Sequence, residues 1–243
     1  MTQAPYPSIQ RLGTILSIWA HPDDESWAAA AIMMAARANG QQVACVTATR
    51  GEQGSQDETR WPLEHLGLIR QKELEASLKI MDITEHSWLD YSDGQCARVH
   101  ADAAAAKLVS LIRRVQPDTI LTFGPDGMTG HADHRTVSHW TDIALQQLDT
   151  ATPPQVYHVV ESKEWYEELG KKWDEQFDVF FNIDQPRLVP EAEIDLCFKV
   201  PPALLDRKLE ALRAQTSQTE SMFTSMPLEE LREIASCECF MRA

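Results

Sequence analysis

The chain has 243 residues, 43% of them hydrophobic, and Asp plus Glu outnumber Lys plus Arg by 37 to 22, giving a formal net charge of −15. That apolar content supports a substantial core and excludes a disordered chain, while the acidic field argues against a nucleic acid partner. No run of about 18 apolar residues is present to span a bilayer, and Met1 to Gln10 has no basic stretch leading into an apolar one, so it does not read as a signal peptide. In chain order, Thr14 to Ala20 is a short apolar run that predicts a buried strand. Ser26 to Asn39, rich in Ala and Met with Gly40 just beyond, predicts a helix with a glycine stop. Gln42 to Thr49 is strand-like again. His65 to Met81 carries an apolar stripe of Leu66, Ile69, Leu74, Leu78 and Met81 and predicts a helix. A strand at Ser87 to Tyr91, a helix at Ala101 to Val115, a strand at Thr119 to Phe123 and a helix at His134 to Leu148 follow. Strands separated by helices of this length imply parallel βαβ units and a helix-flanked sheet.

The last third is less regular. Ala151 to Pro154 predicts a loop before a strand at Gln155 to Val160. Glu161 to Gln176 is highly charged yet carries Trp165, Tyr166 and Trp173, and reads as a solvated surface helix or as a lid over a site. Phe177 to Ile183 reads as an outer strand and Pro202 to Ala214 as a helix. No composition break demands a second domain, so residues 1–243 are expected to form one domain, with a core at about 10–150 and a specificity part at about 151–243. The five cysteines are odd in number and scattered, which fits a reducing cytoplasm. Cys45 lies in a strand-like run as a small core residue. Cys237 and Cys239 would point to one face of a strand, a spacing open to a two-ligand metal site.

Chemistry-bearing residues gather at two strand ends. Ala20-His21-Pro22-Asp23-Asp24-Glu25 follows the first strand, where a parallel sheet opens its binding crevice. His21 and Asp24, three residues apart, can face one point, whereas Asp23 projects differently. The bland alternative is a set of acidic residues complementing a helix N-terminus. The second cluster leaves another strand as a Gly-rich loop, Phe123 to Gly130, followed by His131-Ala132-Asp133-His134. Its bland alternative is a cap made by Asp133 beside two incidental histidines. Brought together, two imidazoles and a carboxylate form a metal site with positions open for water and substrate.

Those residues resemble the LmbE-like, or PIG-L, family of metal-dependent N-deacetylases. The resemblance rests on the Ala-His-Pro-Asp-Asp-Glu segment at 20–25 and the Gly-His-x-Asp-His segment at 130–134. It is supported by Thr49-Arg50-Gly51-Glu52 and by the helix with Arg70, Glu73, Leu74 and Ala76 before Met81-Asp82-Ile83, and covers roughly the first 150 residues. It implies a Rossmann-like three-layer α/β/α sandwich with a mainly parallel sheet. It further implies that His21, Asp24 and His134 bind one Zn2+ per chain, Fe2+ being the alternative metal. Asp23 would be the general base toward the metal-bound water. His131 would stabilise the oxyanion or protonate the leaving amine, and Asp133 would orient and tune that histidine. Arg50 would contact substrate, its alternative being an ion pair with Glu52 or Glu58. Met128 and Thr129 would add an apolar wall and hydroxyl contacts. Late in the chain, Ala214-Gln215-Thr216-Ser217-Gln218 departs from the family pattern, with Gln215 where a histidine is usual. Glutamine cannot shuttle a proton.

The expected reaction is zinc-dependent removal of an acetyl group from an N-acetylglucosamine derivative, a small-molecule sugar or glycoconjugate. Hydrolysis of another small amide or ester, or of a phosphate ester, is the alternative. Two-metal phosphoesterase sites collect more carboxylates than these clusters supply. A non-haem iron oxygenase shares the ligand types but not the strand and helix alternation. A nucleotide-binding domain would need a Gly-x-Gly-x-x-Gly after the first strand, and none is present. Self-association into a homo-oligomer is left open.

Overall fold

The computed structural model describes residues 4–183 and 186–243; the first three residues of the Met1 to Gln10 segment lie outside them. After a short helix α1 (Pro7–Gln10), the chain alternates β1 (Ile15–Trp19), α2 (Asp24–Ala28), α3 (Ala30–Ala38), β2 (Val43–Thr49), α4 (Leu63–Ile80), β3 (Glu85–Tyr91), α5 (Ala101–Val115), β4 (Thr119–Phe123), α6 (Ala132–Gln146) and β5 (Gln155–Val159). These strands pair in parallel in the order β3-β2-β1-β4-β5. Every residue of β1, β2 and β4 is buried, as expected of strands covered on both faces and written as continuous apolar runs. Helix α5 packs on α6, and α3 and α4 pack on α9 (Pro202–Ala214), so helices flank the sheet in the expected α/β/α arrangement.

The order of strand addition reverses between the parallel neighbours β1 and β4, from which the chain winds outward to β2 on one side and β5 on the other. A crevice opens at such a switch point beyond the carboxyl ends of the strands. His21 follows β1 and the Gly-rich loop follows β4, so the topology itself brings the two motif clusters together.

Beyond β5 come two short paired strands, β6 (Glu161–Ser162) and β7 (Leu188–Val189), then β8 (Leu196–Lys199), α9, α10 (Thr216–Ser225), α11 (Leu228–Ile234) and β9 (Cys237–Arg242). β9 joins β5 antiparallel and β8 joins β9 antiparallel, completing a seven-stranded sheet.

Three expectations require correction. The helix expected over Ser26 to Asn39 starts earlier and breaks at Ala29, whose φ of −142° separates α2 from α3. The cause is remote in sequence. The carboxylate of Glu238 on β9 accepts the N–H groups of Ala31 and Ile32, both at 2.8 Å, and so caps a new helix start. Buried Lys208 pairs with that carboxylate at 2.8 Å, as a buried charge requires.

Second, no strand forms at Phe177 to Ile183. Helix α8 (Lys171–Phe177) ends at Asp178 in the left-handed region, φ 52°. Asp174 then accepts the N–H of Phe180 at 2.9 Å, turning the chain back against the site loop.

Third, the charged 161–176 stretch is not wholly a solvated face. It is helical from α7 (Lys163–Trp165) through a π turn at Tyr166–Gly170 into α8. Trp173 is buried, against Trp27 and Trp165 at ring distances of 5.4 and 6.0 Å.

Candidate active site

His21, Asp24 and His134 converge at the switch point. His21 Nδ1 lies 3.2 Å from His134 Nε2 and 3.7 Å from an Asp24 oxygen, and His134 Nε2 lies 3.4 Å from the other Asp24 oxygen. Donors bound about 2.0–2.1 Å from a tetrahedral ion stand about 3.3–3.4 Å apart, so this spacing matches a three-ligand site.

The hydrogen bonds of the two imidazoles test the fit further. His134 Nδ1 faces the carbonyl of Gly127 at 3.0 Å and must carry the proton there, leaving a lone pair on Nε2. His21 Nε2 faces Asp93 at 3.0 Å and Asp133 at 3.4 Å, so its proton belongs on Nε2 and its lone pair on Nδ1. Two lone pairs then point at each other across 3.2 Å. Either a proton or a cation must lie between them. Without a cation a proton fills the gap. Burial works against a charge on His21, but Asp133, Asp93 and Asp24 outweigh it and push the imidazole up to about 10. Burial pushes His134 down to about 4. A divalent cation satisfies both nitrogens and the Asp24 carboxylate together, and the donor set fits one.

The ligands are held from behind. The Asp24 carboxylate accepts the N–H groups of Ala20 and His21 at 3.2 and 2.8 Å. The His134 ring stacks on Phe123 with centroids 4.0 Å apart. Such outer contacts fix tautomer and orientation at metal sites.

Asp23 stands beside this set with a carboxylate 3.3 Å from Arg70 Nη2. Its φ is 104°, a conformation a non-glycine residue adopts only when its surroundings impose it. Those surroundings are the Asp23 N–H on Glu25 at 3.1 Å and Arg70, which binds the carbonyls of Pro22 and Gly51 at 2.5 and 2.9 Å. Burial raises the Asp23 carboxyl to about 7, with Asp24 and Glu25 adding to the rise and Arg70 and His21 opposing it. Gly51, at φ +64°, passes so close that a Cβ would lie 2.1 Å from Arg70 Nη1; only glycine fits.

His131 is arranged differently from the two ligand-like histidines. Its Nδ1 accepts the backbone N–H of Asp133 at 3.1 Å, which puts its proton on Nε2 as a donor. Burial and the charge of His21 hold its pKa down, which favours the neutral ring. The Asp133 carboxylate does not touch this histidine. It lies on His21 Nε2 and accepts the N–H groups of Gly94 and Cys96 at 2.7 and 3.2 Å. Asp133 therefore orients His131 through its backbone N–H, its charge raises the His131 pKa against the effect of burial, and its side chain hydrogen-bonds His21.

Met128, at φ 60°, turns its side chain into a cavity of about 430 Å³ that Trp27, Trp165, Trp173 and Glu161 also line. Thr129 Oγ1 lies 3.4 Å from His134 Nδ1. Arg50 is engaged elsewhere, with neither Glu52 nor Glu58. It pairs with Asp90 at 2.8 Å, donates to Gln71 at 3.1 Å and lies over the Trp88 ring at 4.7 Å. Gln215, in the place of the usual histidine, is buried and donates to Glu25 at 2.8 Å and Ser26 at 2.9 Å. It thus supports the carboxylate that holds the Asp23 backbone.

Asp93 and Arg70 escaped attention as site residues. Asp93 follows the third parallel strand, so the rim that placed the other clusters also pointed to it. Arg70 interrupts a buried helical stripe of Leu66, Leu74, Ser77 and Leu78. A cation at a core position of that stripe requires a partner.

Fold and site define a metal-dependent α/β enzyme of the hydrolase kind. The family described as "PIG-L: GlcNAc-PI de-N-acetylase" matches residues 16–145. A 1D-myo-inositol 2-acetamido-2-deoxy-alpha-D-glucopyranoside deacetylase of Acidothermus cellulolyticus is 31% identical over 240 residues, covering 84% of this chain and 79% of its own. Among solved structures, N,N'-diacetylchitobiose deacetylase from Pyrococcus horikoshii superposes with a TM-score of 0.66 at 19% identity, covering 99% of this chain and 87% of that one. The 4-carboxy-2-hydroxymuconate hydratase of Pseudomonas putida KT2440 shares the fold at a TM-score of 0.62 and 17% identity, covering 95% and 96%. The chain belongs to the PIG-L family. The expected family, fold and enzyme class, a deacetylase acting on C–N bonds, all stand.

Proposed function

We propose that this chain removes the acetyl group from an N-acetylglucosamine unit of a small glycoside, with zinc held by His21, Asp24 and His134. The observation that carries this reading is the convergence of His21 Nδ1, His134 Nε2 and the Asp24 carboxylate within 3.2–3.7 Å of one another, beside the Asp23 carboxylate and an imidazole N–H donor. Bound zinc supplies a Lewis acid that polarises an amide carbonyl and acidifies a water. Asp23, at about 7, is poised to take a proton from that water near neutral pH. His131 Nε2–H is disposed to donate to the developing oxyanion or the departing amine.

The cavity beside Met128 suits a small glycoside. Trp27, Trp165 and Trp173 offer flat apolar faces for a sugar ring, and Glu161 and Glu168 offer acceptors for hydroxyls. The relatives favour an N-acetylglucosaminide linked to a polyol, as in the inositol glycoside of the Acidothermus cellulolyticus protein. The likeness to a hydratase leaves the reaction to the site's chemistry, since a shared fold does not fix it.

No helix among the described residues is long and apolar enough to cross a membrane. We assign the chain to a reducing cytoplasm, a reading supported by five cysteines that form no disulfide.

Zinc-loaded protein is to be offered N-acetylglucosaminyl-inositol, N,N'-diacetylchitobiose and aryl phosphates, with free acetate, free amine and phosphate measured. Equimolar acetate and amine from an N-acetylglucosaminide is the expected result. Phosphate release without acetate overturns the reading.

A further inference from the structure

Three thiols gather at the far edge of the sheet, on the rim that carries the catalytic cluster. β9 runs antiparallel to β5, so its first residues lie beyond the carboxyl end of β5, where the Val160 N–H binds the Cys239 carbonyl at 3.0 Å. Cys237 and Cys239 are two apart on β9 and therefore share a face. Cys197 on β8 stands directly opposite Cys239 in the antiparallel register. The three sulfurs form a nearly closed triangle, with Cys197 at 2.9 Å from Cys237 and 2.8 Å from Cys239, and 3.4 Å between the last two. All three line the 430 Å³ cavity that Met128 also borders.

Such a triangle is not what packing alone calls for. A cross-strand disulfide would engage Cys197 and Cys239 and leave Cys237 as a bystander, whereas here each sulfur is within 3.4 Å of both others. Apolar burial would be met as well by valine or alanine, and a thiol pays more than either in reactivity. Sulfurs around a tetrahedral zinc stand about 3.7–3.8 Å apart at bonds of about 2.3 Å. An ion would therefore widen the two shorter sides by about 0.9 Å and the third by about 0.4 Å, and its fourth position would face the cavity.

We propose that Cys197, Cys237 and Cys239 form a second metal site, separate from the histidine and aspartate set, that binds one thiophilic cation of the zinc class through three thiolates. Each thiol that ligates gives its proton to solvent, so binding releases protons and changes no oxidation state. β8 is the edge strand, held in the sheet by β9 alone. The ion clamps these two strands together. It thereby steadies Glu238, which lies between the two β9 cysteines and caps α3 behind the catalytic motif. The site is thus a structural clamp on the wall of the substrate cavity.

The test uses the full-length protein, prepared under reducing, anaerobic conditions and loaded with zinc or cobalt(II). Zinc per chain is measured after gel filtration, and cobalt protein is read for sulfur-to-cobalt charge transfer in the near ultraviolet. Wild type is expected to hold two zinc ions, and both Cys197→Ser/Cys239→Ser and His134→Ala one. The charge-transfer band should survive in His134→Ala and vanish in the cysteine variant. Because the band is read in wild type, the outcome does not depend on the cysteine variant folding. Loss of deacetylase activity in His134→Ala leaves the band untouched, so failure of the catalytic reading and failure of this one are separable. A wild-type protein with one zinc and no sulfur band, or one whose mass shows two of these thiols joined as a disulfide under the same conditions, overturns the proposal.

Discussion

The five parallel strands and the antiparallel pair β9 and β8 reach the same rim of the sheet and present different chemistry there. At the β1/β4 switch point the rim carries imidazoles and carboxylates, hard or borderline donors backed by Asp93, Asp133 and Arg70. At the β8/β9 edge it carries three thiols and no such backing, with the strand held on one side only. A site that must turn over substrate needs open positions and a base nearby, which the first supplies. The thiol set, with its three sulfurs drawn from two neighbouring strands, suits holding those strands together. The two clusters thus share one rim of the sheet but lie on different strands of it.

The contrast is broken most directly at the first cluster. Replacing His134 by Ala removes one of the three proposed ligands. Metal at the catalytic site should be lost on dialysis and acetate release should fall to background, while the far edge of the sheet keeps its fold. Elemental analysis alongside circular dichroism checks both statements. A variant that keeps its full complement of zinc contradicts the ligand assignment.

Next in size is Asp23→Asn. The amide keeps the shape but cannot take a proton, and a general base is typically worth about 100- to 10,000-fold. Turnover should fall in that range while zinc content stays at the wild-type level. If metal and activity fall together, Asp23 is a ligand and not the base.

Smaller again is Asp93→Asn. Asp93 accepts from His21 Nε2 at 3.0 Å and from the Gln53 N–H at 2.9 Å. Outer partners of this kind are worth about 10- to 100-fold in metal affinity. Competition with a chelator should show a loss of that order at the catalytic site. No change in affinity would reduce Asp93 to a loop-fixing residue.

The same division marks what could be read from sequence. The parallel half was legible because its signals are local: apolar runs of strand length, helical stripes between them, and motifs placed directly after β1 and β4. Pairing those motifs needed only the rule that ligands collect at carboxyl ends of parallel strands. The antiparallel half depends on contacts across the chain. The break at Ala29 comes from Glu238, more than 200 residues on. The turn at 178–183 comes from Asp174 and a left-handed Asp178, in a segment whose aromatic and β-branched residues imitate a strand. Cys197 became a neighbour of Cys237 and Cys239 only through the β8/β9 register. The ion-pair partner of Arg50 was hidden for a related reason, since Asp90 lies at the end of another strand.

The smallest effect distinguishes the two regions by the direction of their pH dependence. Asp93, in the first region, is buried, yet the hydrogen bond and charge of His21 outweigh that burial and hold its carboxyl well below the usual range. Its contribution to stability is present above the unfolded value near 3.8 and is lost as pH falls below it. Glu161, in the second region, lines the cavity and is pushed by burial up to about 8, with Lys208 only partly opposing the rise. The folded chain therefore keeps a proton that the unfolded chain releases near 4.5, and stability falls as pH rises from 4.5 to about 8. Glu161→Gln has no proton to lose. It should melt at the wild-type temperature near pH 4.5 and higher than wild type at pH 9. If removing the buried charge is worth about 1 kcal/mol, the gain is about 2–4 °C for a chain of this size. Melting curves of the two proteins across that range decide the matter. An equal gap at both ends of the range would mean that Glu161 acts through packing, not through its proton.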